Sequence, residues 1–108
     1  MNQIILLGAS NLTLSLRLVI HLLQQKLGGP CEILAAVGHG RAYGVFSQML
    51  SRGLPGIVNS GLWPQLNSIG VLPAYALLTD IGNDILYGSA PEQILRQVEW
   101  CVEQLQKQ

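Results

Sequence analysis

Residues 3–11 read QIILLGASN, and this stretch decides the fold because an unbroken apolar run stops at a glycine and a helical pattern follows. A short continuous apolar run is typical of a strand buried on both faces, as in a parallel sheet. After Asn11, apolar residues recur with helical spacing at Leu12, Leu16, Val19, Ile20, Leu23 and Leu27. We predict a strand followed by a helix that Ser10 or Asn11 caps and that Gly28-Gly29-Pro30 ends.

The same alternation continues along the chain. A second strand is predicted over Glu32–Val37, closed by Gly38, and a short helix over Ala42–Leu50. The stretch 54–66 is interrupted by proline and glycine and receives no assignment. A third strand is predicted over Ala74–Thr79.

The last helix has the clearest pattern. Ser89 and Glu92 have the spacing of a capping box, and Pro91 lies in the first turn. The apolar face that follows contains Ile94, Leu95, Val98, Cys101, Val102 and Leu105. Strands alternating with helices predict an α/β fold in three α/β/α layers, with a flavodoxin-like parallel sheet of order 2-1-3 from which later strands are missing. Residues 1–108 are expected to form one such domain.

Composition narrows the class of partner. Six Lys plus Arg balance six Asp plus Glu in 108 residues, and only 11% of the residues are charged while 49% are hydrophobic. This balance argues against disorder and against a basic nucleic-acid surface. No apolar run reaches the roughly 20 residues that a membrane span needs, so we expect a cytoplasmic protein without a membrane partner. The wide spacing of Cys31 and Cys101 argues against a zinc site or a disulfide framework, and two buried thiols are expected.

Ligands of open parallel sheets bind beyond the carboxyl ends of the strands, which here are followed by three loops. The first holds Ser10, whose hydroxyl would lie at the open, positive end of a helix, although on this loop alone a simple N-cap is the favoured interpretation. The second holds Gly38 and His39. The third holds Asn83, whose amide has two donors and does not titrate. Each residue alone is explained by ordinary turn chemistry, and only the combination points to an oxyanion site.

Together these loops resemble the motifs of the SGNH hydrolases, the GDSL esterase and lipase family. The family's Gly-Asp-Ser is read here as Gly8-Ala9-Ser10, its second glycine as Gly38, and its Gly-x-Asn-Asp as residues 81–84, with Gly82 and Asn83 adjacent. The resemblance implies that Ser10 is the nucleophile of a carboxylic ester hydrolase that forms an acyl-enzyme. It also implies that the Gly38 N–H and the Asn83 side chain bind the oxyanion, without a cofactor or a metal. Ala9 stands where the family has an aspartate.

The family's base lies in a later Asp-x-x-His motif, which these residues lack, so the resemblance covers about the first half of a typical member. His21 is predicted on the first helix, roughly 16 Å from Ser10 along the axis at 1.5 Å per residue, too far to act as base. His39 lies in the correct crevice and could approach Ser10 as a base, but substrate contact or simple solvent exposure is favoured, and it is assigned to substrate contact. Arg41 and Tyr43 either contact substrate or pack in the fold.

Two other classes of function remain in view. A non-catalytic α/β module could bind a small ligand or a partner chain at the same crevice. A nucleotide-binding unit is disfavoured because G-x-G-x-x-G and G-x-x-x-x-G-K are absent, and Asp80 with Asp84 lacks the third carboxylate of a magnesium site. The third strand would leave an apolar sheet edge, which either a missing fourth strand or a second copy of the chain would cover. The second alternative is a homo-oligomer through that edge. Trp63 is predicted to be a packed core aromatic rather than part of an acyl pocket.

Overall fold

A computed structural model describes residues 2–49, 52–69 and 74–106. In chain order its elements are β1 (Asn2–Leu7), α1 (Ser10–Leu27), β2 (Cys31–Ala36), β3 (Ser47–Met49), β4 (Arg52–Leu54), a 3-10 turn (Ile57–Asn59), α2 (Leu62–Ile69), β5 (Ala74–Leu78), α3 (Asn83–Leu86) and α4 (Pro91–Gln106).

The main sheet has the predicted order. Strand β1 lies in the centre and pairs in parallel with β2 on one side and with β5 on the other. Leu7, the last residue of β1, is in register with Ala36 and with Leu78. The carboxyl ends of all three strands therefore lie at one level, and the loops that follow them begin side by side.

Helices cover both faces of this sheet, which confirms the three-layer α/β arrangement. Ile4 and Leu6 of β1 point toward α1, and Ile5 and Leu7 pack in the opposite cluster with residues of the 3-10 turn, α2 and α4. These four side chains are at most 1% exposed, and full burial of such a side chain contributes about 1.5–3 kcal/mol. The central strand of the sheet is thus packed on both of its faces, as the unbroken apolar run predicted.

The first helix ends as predicted and begins differently. Gly28 adopts a left-handed conformation (φ 84°), and the Gly28 and Gly29 N–H groups donate to the carbonyls of Gln25 and Gln24. At the other end, the residue before the helix is Ala9, and no side chain of Ser10 or Asn11 caps the helix. The predicted cap is wrong, and its replacement belongs to the site described below.

The helix predicted over Ala42–Leu50 is wrong for the residues that the structure describes, and Leu50 lies outside them. Ala42 and Tyr43 use their carbonyls to accept the N–H groups of Ile57 and Val58. These backbone groups are engaged in tertiary hydrogen bonds and are not free for helical ones. The chain then forms β3, which pairs antiparallel with β4. Local apolar spacing at Val45 and Phe46 was a poor guide because Phe46 is 66% exposed.

The unassigned stretch contains the 3-10 turn and α2, and both contribute to the core. The indole N–H of Trp63 donates to the Ile57 carbonyl at 2.9 Å. The ring of Trp63 meets Trp100 of α4 edge to face, with centroids 5.1 Å apart. Trp63 is buried, so the prediction of a core aromatic is confirmed.

The capping box predicted for the last helix does not form, and only half of such an arrangement is present, one residue later. Helix α4 begins at Pro91, and the residue before it, Ala90, donates its N–H to the side-chain oxygen of Gln93 at 3.0 Å. Gln93 therefore occupies the position predicted for Glu92, which is exposed. Cys101 is buried as expected, and burial raises the pKa of its thiol to about 12. Cys31 is only half-buried.

Within the described sheet, strand β5 has a neighbour on one side only. Tyr75 and Leu77 of this strand are 50% and 36% exposed, so the edge is apolar as well as unpaired. In the described part of the chain, none of the helices has both the length and the apolar character that crossing a membrane requires.

Candidate active site

The three loops predicted to form a site meet beyond the carboxyl ends of the strands. Gly8 extends from β1 and donates to the Ala36 carbonyl at 3.1 Å, while Thr79 donates to the Leu7 carbonyl at 2.9 Å. A Cβ atom at Gly8 would stand 2.6 Å from the Thr79 hydroxyl and 2.9 Å from Leu12. Glycine is required here because the end of β5 and the start of α1 both approach this backbone.

Ser10 is the first residue of α1 and is half-buried. Its hydroxyl accepts a long hydrogen bond, 3.4 Å, from the Gly40 N–H in the loop after β2. The side chain does not cap the helix, so the interpretation of Ser10 as an N-cap is wrong. The Ser10 oxygen instead faces the neighbouring loop.

Asp80, the second residue after β5, takes over the capping of α1. One oxygen of its carboxylate accepts the N–H of Ala9 at 2.8 Å and of Leu12 at 3.1 Å, and the other accepts the Asn11 amide at 2.8 Å. Burial alone would raise the pKa of this carboxyl, but the hydrogen bonds from Ala9, Leu12, Asn11 and Thr79 outweigh it and lower the pKa. The expectation of an open, positive helix start at Ser10 therefore needs correction, because a carboxylate already binds two of its N–H groups.

The loop after β2 presents Gly40, a residue that the sequence interpretation did not select. Gly40 is buried with a left-handed φ of 72°, and its carbonyl accepts the hydroxyl of Tyr87 at 2.8 Å. These contacts hold its N–H in place toward Ser10. The predicted donor, Gly38, packs against Leu54 where a Cβ atom would clash, and its carbonyl accepts the Arg41 N–H. The only signal for Gly40 in the sequence was the second glycine of Gly38-His39-Gly40.

Asn83 begins the short helix α3 and is half-buried. Its amide donates to the carbonyl of Arg41 at 3.0 Å. Since Arg41 follows Gly40, a chain of two hydrogen bonds links Ser10 through this loop to Asn83. An asparagine amide has two N–H donors, so the second is available to a ligand oxygen. The structure thus connects Ser10, Gly40 and Asn83 through the loop after β2.

Asp84, next to Asn83, binds the backbone of the second loop. Its carboxylate is 1% exposed and accepts the N–H groups of Tyr43 and Gly44 at 2.7 and 2.9 Å. The hydroxyl of Tyr43 donates to the Thr79 carbonyl at 2.9 Å, and burial raises the pKa of this phenol. Asp84 and Tyr43 therefore connect the second and third loops as internal supports.

Arg41 is also buried, and its side chain anchors the second loop. Its guanidinium donates to the carbonyls of Val37 and Pro55, both at 3.1 Å. Burial lowers the pKa of this group. Of the two interpretations left open for Arg41 and Tyr43, packing in the fold is the one that these contacts support.

Neither histidine contacts Ser10 in the described chain. His39 is exposed on the tip of the second loop, beside Gly40, and His21 is exposed on α1. Among the described residues, no group of three or more His, Cys, Asp or Glu side chains is arranged to hold a metal ion. The polar groups described for this site are the Ser10 hydroxyl, the Gly40 N–H and the Asn83 amide, and the Asp80 carboxylate binds the turn that carries Ser10.

Two cavities lie beside the third loop. One, of about 200 Å³, is lined mainly by polar groups that include Asp84, Ser89, Gln93 and Gln97. The other, of about 270 Å³, is apolar and lies between α3 and α4, lined by Ile81, Ile85, Ile94 and Leu95 among others. No family model, curated protein or solved structure matches this chain.

Proposed function

We propose that this chain supplies the nucleophile and the oxyanion donors of a serine ester hydrolase of the SGNH (GDSL) type. The observation that carries the proposal is the hydrogen-bonded chain from Ser10 through the Gly40–Arg41 loop to Asn83. It gathers a hydroxyl and fixed neutral donors at one crevice, which is what acyl transfer requires. The predicted cytoplasmic location and a small-molecule ester substrate belong to the same proposal.

In the proposed reaction, the Ser10 oxygen attacks the ester carbonyl carbon and the carbonyl oxygen becomes an oxyanion. The N–H groups of Gly38 and Gly40 and the amide of Asn83 are the candidate donors to it. The bond to the alcohol then breaks, the alcohol leaves with a proton, and water hydrolyses the Ser10 acyl ester. His39 is assigned to substrate contact at the mouth of the crevice.

A base must accept the Ser10 proton for this reaction to be fast. The family resemblance assigns that role to an Asp-x-x-His motif, which these residues do not contain. Activity of this chain alone therefore depends on whether another histidine reaches Ser10. His39 is the candidate for this base, because it directly precedes Gly40, whose N–H contacts Ser10.

The experiment is intact-mass spectrometry after exposure to a fluorophosphonate, which modifies activated serines. We expect one adduct, lost in Ser10→Ala and kept in Ser15→Ala, which removes an exposed serine from the same helix. Loss of the adduct in His39→Ala would identify the base. An adduct that persists in Ser10→Ala would remove Ser10 from the mechanism.

A second candidate is a non-catalytic α/β module that binds a small polar ligand in the same crevice. It is favoured by the absence of a histidine contact to Ser10 in the described chain. With butyrate as the probe, this function predicts protection of residues 38–43 from hydrogen exchange, together with no fluorophosphonate adduct. Hydrolysis of p-nitrophenyl butyrate that is lost in Ser10→Ala would exclude it.

A further inference from the structure

Ser10 lies in a turn that is held by Asp80, a residue that follows the neighbouring strand β5. The turn itself contributes only one internal contact of note, the Ala9 carbonyl, which accepts the Thr13 N–H at 2.8 Å and its hydroxyl at 2.7 Å. Asp80 supplies side-chain hydrogen bonds to the Ala9 N–H, the Leu12 N–H and the Asn11 amide. The residues on both sides of Ser10 are thus bound to one carboxylate.

The geometry of this carboxylate is specific. One carboxylate oxygen binds the N–H groups of Ala9 and Leu12, which lie on either side of Ser10 in the sequence. The other oxygen binds the Asn11 amide. A rigid three-point contact of this kind fixes both the start of α1 and the direction in which the first side chain of the helix leaves it.

The backbone of Asp80 shows that the chain accommodates this contact at a conformational cost. Asp80 has φ 57°, and it is the one non-glycine residue in the described ranges with a left-handed φ. Such a conformation persists where surrounding contacts compensate for it, and aspartate tolerates it better than most residues. Here the compensating contacts are the hydrogen bonds to the turn that carries Ser10.

We propose that Asp80 is a positioning residue for Ser10: its carboxylate holds the turn between β1 and α1 so that the Ser10 hydroxyl meets the Gly40 N–H. The assignment rests on the proposed role of Ser10 as nucleophile, but the contact between Ser10 and Gly40 can be measured without any reaction. Asp80 does not touch the reacting atoms and acts only through the backbone of its neighbours.

The test compares Asp80→Asn with Asn11→Ala and with the control Glu92→Gln, which removes an exposed carboxylate from α4. Asparagine keeps the shape, the left-handed conformation and one oxygen for the Ala9 and Leu12 N–H groups. It removes the negative charge and places an NH₂ group, which cannot accept, against the Asn11 amide donor. Asn11→Ala removes one exposed contact of the carboxylate, so it serves as the milder variant if Asp80→Asn fails to fold.

Two quantities are measured for each variant. In Asp80→Asn the rate of fluorophosphonate labelling of Ser10 should fall on the order of tenfold to a hundredfold, as for a misplaced reacting group. Hydrogen exchange of the Gly40 amide should accelerate by about tenfold as its contact with Ser10 is lost. Asn11→Ala should change both in the same direction and less, and Glu92→Gln should change neither.

Unchanged labelling and unchanged Gly40 exchange in a folded Asp80→Asn protein would overturn the assignment. If the parent chain is not labelled at all, Ser10 is not activated within these residues, and Gly40 exchange then decides the positioning role alone. Faster Gly40 exchange in Asp80→Asn supports that role, and exchange equal to that of Glu92→Gln refutes it.

Discussion

Asp84→Asn tests whether the buried carboxylate under the crevice holds the second loop. The Asp84 side chain is 1% exposed and accepts two backbone N–H groups, from Tyr43 at 2.7 Å and from Gly44 at 2.9 Å. Asparagine offers one oxygen, so one N–H is kept and the other faces the new NH₂ group without an acceptor. A buried donor without a partner costs about 1–3 kcal/mol, and the bond that remains loses its charge assistance.

These losses are partly offset because the charge of a buried carboxylate no longer has to be removed from water. We therefore expect Asp84→Asn to lower the free energy of unfolding by about 2 kcal/mol. At about 4–8 °C per kcal/mol for a domain near this size, the midpoint of thermal unfolding should fall on the order of 10 °C.

Urea denaturation followed by circular dichroism measures this change, with Glu92→Gln as the control for loss of a carboxylate. The dependence of the free energy on urea should stay constant, because the surface exposed on unfolding does not change. A loss below about 0.5 kcal/mol, the range of ordinary surface substitutions, would refute the view that Asp84 holds the loop.

The remaining predictions concern acid stability and the free edge of β5. Hydrogen bonds lower the pKa of Asp80, so its stabilising contribution is complete above the pKa of an unfolded aspartate and is lost as pH falls through the lowered folded value. The parent chain should therefore be more stable than Asp80→Asn at neutral pH and converge with it in acid, and parallel pH curves would contradict this. At the edge, we expect β5 to pair with a second copy of the chain, so that the molar mass from light scattering rises with concentration. Tyr75→Lys should prevent this, since a lysine deters edge pairing, whereas Leu14→Lys on exposed α1 should not; a constant monomer mass would exclude the pairing.

The sheet was predictable because burial of a strand on both faces leaves a continuous apolar run in the sequence. The apolar run at residues 4–7 predicts a strand covered on both faces, and it is the central strand. Where a segment's backbone is engaged by distant groups, the local pattern misleads. The stretch 42–50 has helical apolar spacing, yet its first residues bond to Ile57, Val58 and Asp84.

The site was predictable to the level of loops, and less so at the level of contacts. Topology brings the ends of parallel strands together, so Ser10 and Asn83 could be assigned to one crevice from their position after strands. The contacts with Asp80 and with Gly40 depend on the exact height of each loop and on left-handed φ values at both residues. Asp80 was weighed only as a metal ligand, because a cap supplied from 71 positions away leaves no local pattern.

The Asp80 cap also changes which groups can stabilise negative charge at Ser10. The start of a helix is favourable for an oxyanion because its N–H groups are free and carry partial positive charge. Here the N–H groups of Ala9 and Leu12 already face a carboxylate, whose own charge opposes a second anion nearby.

An oxyanion on a substrate bound to Ser10 would therefore depend on donors from the other two loops. The Gly40 N–H and the Asn83 amide are neutral donors, and the hydrogen bonds from Tyr87 to the Gly40 carbonyl and from Asn83 to the Arg41 carbonyl hold them in place. On this reasoning, replacing Asn83 by alanine should slow any reaction at Ser10 by about a hundredfold, the usual cost of one oxyanion donor, while replacing it by aspartate should be worse.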